Sequence, residues 1–445
     1  MSSPKSSSSL TDHISQVPPE LLSEIFLLSV SGDFDYENTV RKPLLISQIS
    51  KYWRDVALAT PGLWSRLFLK ISTYCSRSRM DITETWLIRS AAAPLRVHIL
   101  WEEESNLLTH PVLDAIIQHS NRWHHVFLFI PISAFPSLNP IKGNLNLLTE
   151  LSLGCSDFMG SEIYDMFEFA PRLRSFECIN ISPLRFNLPW TQIKTLPVAS
   201  ISLLECLVLQ KRCPRLSFLN FILGFEFFVA ALPFESVHLP HLHTASFITS
   251  PWSTFLDLNP LLEHCTYPQL DRLQLCDFKV TPAVQLPGFL SRSPLITSLD
   301  LRRVVLSDQD LLRCLLSTPN LIHLKIIEET EMNRSRILFS DFLLQEMTLS
   351  ASRQEVGQSN NDLPPVLLPR LRYIDFSAPY IPMAPFIDMV ESRIDPAAGL
   401  VPLHSVELEL NDGTGFQDRV RQLRDKGLDI QTKRMASSAY SHYTL

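Results

Sequence analysis

Leu270-Asp-Arg-Leu-Gln-Leu275 decides the fold, because its spacing of apolar residues, L-x-x-L-x-L, returns through most of the chain. With any apolar residue allowed at the L positions, the frame starts at Leu148, Leu173, Ile193, Leu216, Leu242, Leu270, Ile296, Leu321, Leu371 and Leu403. The starts from Leu216 to Leu321 are 26, 28, 26 and 25 residues apart. Alternation is the period of a strand, so each frame predicts a strand with its fourth and sixth side chains in the core.

Helical patterns lie between these predicted strands, as in 202–211 and 308–317. A unit of roughly 20–29 residues with one strand and one returning helix is typical of leucine-rich repeats, whose core is completed only by stacking. The fold class expected is therefore α/β, with a leucine-rich-repeat βα solenoid following an all-α module at the N-terminus. The Leu321–Leu371 interval is twice a normal repeat and predicts an insertion near 328–365, containing a helix at 339–349 and a mobile loop at 350–362.

The N-terminal module begins at Val17-Pro-Pro-Glu-Leu-Leu22. Pro19 can start a helix, on which Leu21, Ile25 and Leu28 form one stripe and Leu22 with Phe26 an adjacent one. A second helical pattern covers 43–60 and stops at Pro61-Gly62, before Leu63 and Trp64. So much apolar surface on short elements predicts burial against another protein.

The runs Val17–Phe26, Gln48–Leu58 and Thr60–Trp64 resemble the F-box of large fungal F-box families. Val17 stands where the first Leu is usual, and the loop at 31–42 is longer than in compact F-boxes. The resemblance implies docking onto a Skp-type adaptor that links the chain to a cullin scaffold in a ubiquitin ligase complex. The adaptor-facing positions it implies are Pro18, Leu21, Leu22, Ile25, Ile49, Trp53, Leu63 and Trp64.

Two interpretations of the module remain open at this level. In the first, the chain is the substrate receptor of an SCF-type ligase, which binds a target protein through its repeats and brings it near the conjugating enzyme. In the second, the apolar residues tie the helices to the repeats as a cap, and the chain is a protein-interaction scaffold outside ubiquitylation.

The expected organisation is a disordered segment at 1–13, the F-box at 14–70, linking βα units at 71–140, the repeats at 141–434 and a loose tail at 435–445. The polar, Ser-rich start does not read as a signal peptide, and the eight cysteines form no CxxC pair. We therefore expect a cytoplasmic or nuclear protein with reduced thiols.

The third and fifth residues of each frame should share the face of the sheet opposite the core, a wide polar surface suited to a protein partner. The target-binding positions predicted there are Arg272, Gln274, Ser298, Asp300, His323, Lys325, Tyr373 and Asp375.

Other function classes find little support. The net charge is −7 without a basic block, which argues against nucleic acid. Glu226 interrupts the most apolar stretch, 216–234, so no membrane span is expected. The sequence has no GxGxxG, GxxxxGK[ST], GxSxG or HExxH motif, and we predict no catalysis and no cofactor.

Two groups of histidines are candidate sites. His238, His241 and His243, with His264 and Cys265, contain possible zinc donors, but their spacing does not imply convergence, so no metal is predicted. His124 and His125 are assigned to packing at a strand edge.

Overall fold

The structure is a computed structural model. It describes residues 17–32, 35, 37–72, 77–101, 109–156, 162–224, 235–250, 256–278, 284–328, 339–349, 366–396, 400–410 and 417–434. These belong to two compact units, Met1–Ile193 (unit 1) and Lys194–Leu445 (unit 2), whose boundary falls inside the predicted repeat region. The predicted disordered N-terminus, the loop at 350–362 and the C-terminal tail lie outside the described residues.

Unit 1 begins with short helices. They are α1 (Pro19–Ser29), a π-helical turn (Glu37–Arg41), α2 (Lys42–Ile49), α3 (Lys51–Leu58) and a 3-10 turn (Pro61–Trp64). The predicted helix start at Pro19 is confirmed. The single helical segment predicted for 43–60 is wrong, because Ser50 takes an extended conformation and its side chain caps α3 by accepting a hydrogen bond from the Trp53 amide at 3.1 Å. Ser and Thr are preferred at this position because they satisfy an otherwise unpaired donor.

The rest of unit 1 alternates strands with helical segments. In chain order these are β1 (Arg66–Lys70), α4 (Arg77–Arg89), β2 (Leu95–Leu100), α5 (Pro111–Ile117), β3 (Trp123–Phe129), β4 (Glu150–Gly154) and β5 (Ser175–Ile179). Each strand pairs in parallel with the next along the chain. The connection between β3 and β4 contains the 3-10 segment Ile132–Ile141 in place of an α-helix.

Unit 2 continues the same alternation. Its strands are β6 (Thr195–Ile201), β7 (Phe218–Leu223), β8 (Val237–His238), β9 (Thr244–Thr249), β10 (Cys265–Thr266), β11 (Arg272–Cys276), β12 (Ser298–Arg302), β13 (His323–Ile327), β14 (Tyr373–Ala378), β15 (Ser405–Leu410) and β16 (Asp429–Arg434). Its helices are α6 (Leu203–Arg212), α7 (Asn259–His264), α8 (Leu286–Ser291), α9 (Asp308–Leu316), α10 (Asp341–Met347), α11 (Met383–Ser392) and α12 (Gln417–Asp425).

The strands of unit 2 form a parallel sheet in chain order, with β8 and β10 set apart as a separate pair. Helices lie in several of the connections, for example α9 between β12 and β13, and parallel pairing requires crossovers of this kind. The α/β class with a parallel sheet, predicted from the sequence, is confirmed.

The ten L-x-x-L-x-L frames are confirmed as strands, since a strand begins two residues after each frame start. The fourth and sixth residues are buried in nine frames, for example Leu273 and Leu275 in β11. The exception is Val198 in β6, which is only half-buried because the pairing with β7 shifts register between Leu196 and Ala199. A bulge of this kind moves later side chains out of alternation.

The predicted insertion contains the expected helix, which is α10. An arginine holds the C-terminal end of α10 through hydrogen bonds. Arg393, at the end of α11, is buried and donates to the Met347 carbonyl at 2.9 and 2.6 Å, to Leu367 at 2.8 Å and to Leu368 at 3.0 Å. Burial lowers the pKa of Arg393 to about 10, and carbonyl oxygens supply its partners.

Candidate protein-interaction surfaces

The N-terminal helices expose one apolar stripe and bury the other. Leu21, Ile25 and Leu28 on α1 are 57%, 51% and 69% exposed, whereas Leu22 and Phe26 are buried. On α2, Leu45 and Ile49 are 48% and 60% exposed. Large apolar side chains this exposed on neighbouring short helices are typical of protein contact surfaces. We call Leu21, Ile25, Leu28, Leu45 and Ile49 the N-terminal apolar face.

Three of the eight predicted adaptor positions are buried. Leu22, Leu63 and Trp64 are buried by the chain's own residues, so their assignment to a partner contact is corrected. The Trp64 indole donates to the Ala57 carbonyl at 2.8 Å and packs edge-on against Trp86 at 5.0 Å. Leu63 and Trp64 both lie in the 3-10 turn Pro61–Trp64, and both of their side chains are buried.

The other five predicted adaptor positions reach the surface. Pro18, Leu21, Ile25 and Ile49 are exposed, and Trp53 is half-buried with its ring 5.0 Å from that of Phe26. Trp53 therefore has one side against the core of the module. Leu28 and Leu45 are exposed beside these residues and are not among the predicted adaptor positions, although helical periodicity from Leu21 and Ile49 indicates both.

The eight predicted target-binding residues are brought together in unit 2. They lie on β11, β12, β13 and β14 in two register rows, Arg272–Ser298–His323–Tyr373 and Gln274–Asp300–Lys325–Asp375. All of them alternate with buried residues, which places them on the side of the sheet opposite the core. We call this side the outer face of unit 2.

Ion pairs organise the charges of that face. Lys325 pairs with Asp375 on the adjacent strand, and the Arg302 guanidinium contacts the Asp300 carboxylate at 2.7 Å. Tyr373, which is exposed, has the imidazoles of His323 and His404 edge-on at 6.0 and 5.6 Å. Arg302 belongs to a third register row, one residue beyond the sixth position of its L-x-x-L-x-L frame, and is therefore not among the predicted target-binding positions.

The histidines weighed as zinc donors show no convergence. His238 lies in β8 opposite Thr266, and the His264 ring contacts the Pro260 carbonyl at 2.8 Å. Cys265 is buried, which raises the pKa of its thiol to about 12. Among the described residues, no group of three or more His, Cys, Asp or Glu side chains could hold a metal ion.

His124 and His125 lie in β3, and their rings stack with centroids 4.4 Å apart. The His125 Nδ1 is 3.1 Å from the Glu150 carboxylate, and burial lowers the pKa of both imidazoles. Within the described parts of the chain, no helix has the length and apolar character to cross a membrane.

Comparison with known proteins adds no assignment. No protein-family model matches the sequence, and no curated protein matches it.

Proposed function

We propose that this chain is the substrate-recognition subunit of an SCF-type ubiquitin ligase. In this role an F-box within 14–70 binds a Skp-type adaptor, and leucine-rich repeats within 141–434 bind a target protein. The chain supplies proximity rather than reactive groups. It would act in the cytoplasm or nucleus, without a cofactor.

The observation that carries the proposal is the N-terminal apolar face. Leu21, Ile25 and Leu28 lie on one side of α1, while the other side of that helix is already fixed in the module by Leu22 and Phe26. Three exposed large apolar side chains on a helix of 11 residues lower the solubility of the chain unless a partner protein covers them. Burial of a large aliphatic side chain contributes roughly 1.5–3 kcal/mol, so these residues can support a stable complex.

The test is capture of a Skp-type adaptor by the full-length chain. A double substitution, Leu21→Asp with Ile25→Asp, should lower the affinity for the adaptor at least about 100-fold, because two charges would be buried without partners. Ile163→Asp is the matched control, since Ile163 is exposed elsewhere in unit 1. Equal adaptor binding by all three proteins, or none by the wild-type chain, would reject the proposal.

The target-binding part of the proposal is tested on the outer face of unit 2. Reversing Lys325 alone would leave Asp375 facing a like charge, so the double exchange Lys325→Asp with Asp375→Lys is the better probe, because it preserves the pair. If the face binds the target, the double exchange should reduce the amount of target protein captured. The midpoint of the unfolding transition should be the same as in the wild-type chain. Unchanged capture would remove this face from the proposal.

A second candidate is the scaffold outside ubiquitylation. One observation favours it: Arg66 at the start of β1 bonds to carbonyls at the end of α1, which joins the helices to the first strand as a cap would. Retention of protein partners by a chain that fails to capture adaptor and cullin would select this candidate.

A further inference from the structure

Unit 1 has its own outer face, which the target-binding positions predicted from the sequence do not include. The residues alternating with its buried core form three register rows across β1 to β5. They are Arg66–Arg96–His125–Glu150–Ser175, Phe68–His98–Phe127–Ser152–Glu177 and Lys70–Leu100–Phe129–Gly154–Ile179. The middle row is aromatic on three consecutive strands, where the corresponding row of unit 2 is polar.

The aromatic row is closely packed. The His98 imidazole lies 4.8 Å from the Phe68 ring and stacks on Phe127 at 4.1 Å with an interplanar angle of 16°. All three side chains are half-buried, so their outer edges remain accessible. Burial lowers the pKa of His98 to about 4, which leaves the imidazole neutral at physiological pH and compatible with an apolar contact.

The register row that starts at Lys70 adds further apolar side chains next to the aromatic row. Leu100, Phe129 and Ile179 are half-buried on the same face. Gly154 lies between the last two, and a Cβ there would meet the Phe129 ring at 2.6 Å and the Ile179 Cβ at 3.2 Å. Because Gly154 has no side chain, the Phe129 ring occupies the space that a Cβ there would need, so the apolar row continues across β4.

Charge changes sign across the face. Lys70 on β1 and Arg96 on β2 are both exposed, whereas Glu150 and Glu177 lie on β4 and β5. The acidic side is supported by its neighbours, since His125 contacts Glu150 at 3.1 Å and Ser152 donates to Glu177 at 2.7 Å. A partner complementary to this face needs an acidic end, an apolar centre and a basic end.

The width of the face sets the length of the occupant. Five strands spaced about 4.8 Å apart span about 19 Å, and an extended chain advances about 3.3 Å per residue, which gives about six residues. A segment that crosses the strands can place one large side chain on the aromatic row and its charged ends over the two margins.

We propose that the outer face of unit 1 binds an extended segment of the target protein, about six residues long, with a central aromatic or branched apolar side chain between an acidic and a basic end. The central side chain contacts His98, Phe127 and Phe129. The acidic end lies over Arg96 and the basic end over Glu150 and Glu177. This assignment rests on the target-binding role proposed above and names the chemistry of the target.

The probe is the fluorescent peptide EEGWGKK, titrated against the full-length chain by anisotropy. EEGGGKK lacks the central side chain, and EEGWGEE and KKGWGKK carry one sign of charge. We expect EEGWGKK to bind at least about tenfold more tightly than any of the three, because each loses the apolar contact or one charged end. Equal binding of all four peptides, or no binding of EEGWGKK, would overturn the proposal.

Variants of the chain locate the contact. Arg96→Glu should weaken EEGWGKK about fivefold, as expected for an exposed ion pair, and should reverse the preference in favour of KKGWGKK. Phe127→Ala should weaken every peptide that contains the tryptophan. Arg421→Glu, at an exposed arginine of α12, is the matched control and should leave the binding of all four peptides unchanged, whereas Arg272→Glu tests the outer face of unit 2 as the alternative location. A loss with Arg272→Glu but not Arg96→Glu would place the peptide on unit 2 and refute the assignment.

The same protein samples are assayed for adaptor capture. Peptide binding without adaptor capture would uphold this face and reject the ligase role. Adaptor capture without peptide binding would do the reverse.

Discussion

Arg66 donates from Nη1 to the Val30 carbonyl oxygen at 2.5 Å and from Nη2 to that of Gly32 at 3.0 Å. Val30 caps the C-terminal end of α1, and Arg66 opens β1. The first helix is therefore fastened to the first strand by a cation placed at the negative end of the helix dipole.

The same arrangement recurs. Arg122 donates to the Ala93 carbonyl at 3.1 Å and to the Ser90 hydroxyl at 2.6 Å, just beyond α4. Arg292 reaches the Leu262 carbonyl at 2.5 Å and that of Cys265 at 3.3 Å, at the end of α7, and Arg393 reaches the end of α10. In each case an arginine from later in the chain donates hydrogen bonds to carbonyl oxygens at the C-terminal end of an earlier helix. The several N–H groups of the guanidinium thus satisfy carbonyls that a C-terminal glycine motif would otherwise cap.

Replacing Arg66 should loosen α1. Arg66→Ala removes two charge-assisted hydrogen bonds, and we expect the free energy of unfolding to fall by about 2–3 kcal/mol. Arg96→Ala, at an exposed position one strand away, should change it by less than about 0.5 kcal/mol. Chemical denaturation gives both values, and hydrogen exchange should show faster opening of α1 in the first variant. Equal stability of the two variants would mean that Arg66 does not anchor the helix.

Arg393 should matter more, because its guanidinium is almost fully buried and bonds to three carbonyls from two segments. Arg393→Met should destabilise unit 2 by about 3 kcal/mol or more, since each carbonyl left without a donor costs about 1–3 kcal/mol. Arg393→Lys should rescue only part of the loss, because an ammonium cannot span both segments. Thermal unfolding of the three proteins gives the order of their stabilities. If Arg393→Lys were as stable as the wild-type chain, the guanidinium contacts to both segments would not be required.

Gly154→Ala should destabilise unit 1 by about 1–3 kcal/mol, because the new methyl group overlaps the Phe129 ring. The comparison is Gly288→Ala in α8, where the nearest atom to an added Cβ is an Arg292 nitrogen at 3.7 Å. That substitution should be neutral or stabilising by up to about 1 kcal/mol, since alanine favours a helix. The denaturant midpoint should therefore fall for Gly154→Ala and stay the same or rise for Gly288→Ala. An equal shift of the midpoint in both variants would show that the methyl group at position 154 does not overlap the Phe129 ring.

His98 should make stability depend on pH. Burial lowers its pKa from 6.5 to about 4, so as the pH falls the unfolded chain takes up the proton first. The stability is fully present above about pH 6.5 and is lost as the pH falls towards 4. His98→Gln should flatten this decline in the free energy of unfolding between pH 7 and 4.5, whereas His241→Gln, at an exposed position in unit 2, should leave it unchanged. An identical slope in all three proteins would refute the assignment to His98.

The sequence by itself determined the ten strands that follow the L-x-x-L-x-L frames and, apart from Val198, their core residues. Every L-x-x-L-x-L frame became a strand because alternation is a property of the local chain, and burial of Leu299 and Leu301 or Leu324 and Ile326 follows from it without knowledge of neighbours. The positions of Arg272 to Asp375 on one face followed for the same reason.

The tertiary structure decided which large apolar residues are buried and which charged side chains pair, neither of which the period of the sequence encodes. It buried Leu63 and Trp64 while leaving Leu21 exposed, although all three are large and apolar, because enclosure depends on which elements pack nearby. It also paired Lys325 with Asp375, fifty residues apart, through the register of β13 and β14. The bonds from Arg66, Arg122, Arg292 and Arg393 to the ends of earlier helices likewise depend on partners that meet only when the chain folds, since hydrogen bonds between distant segments leave no period in the sequence.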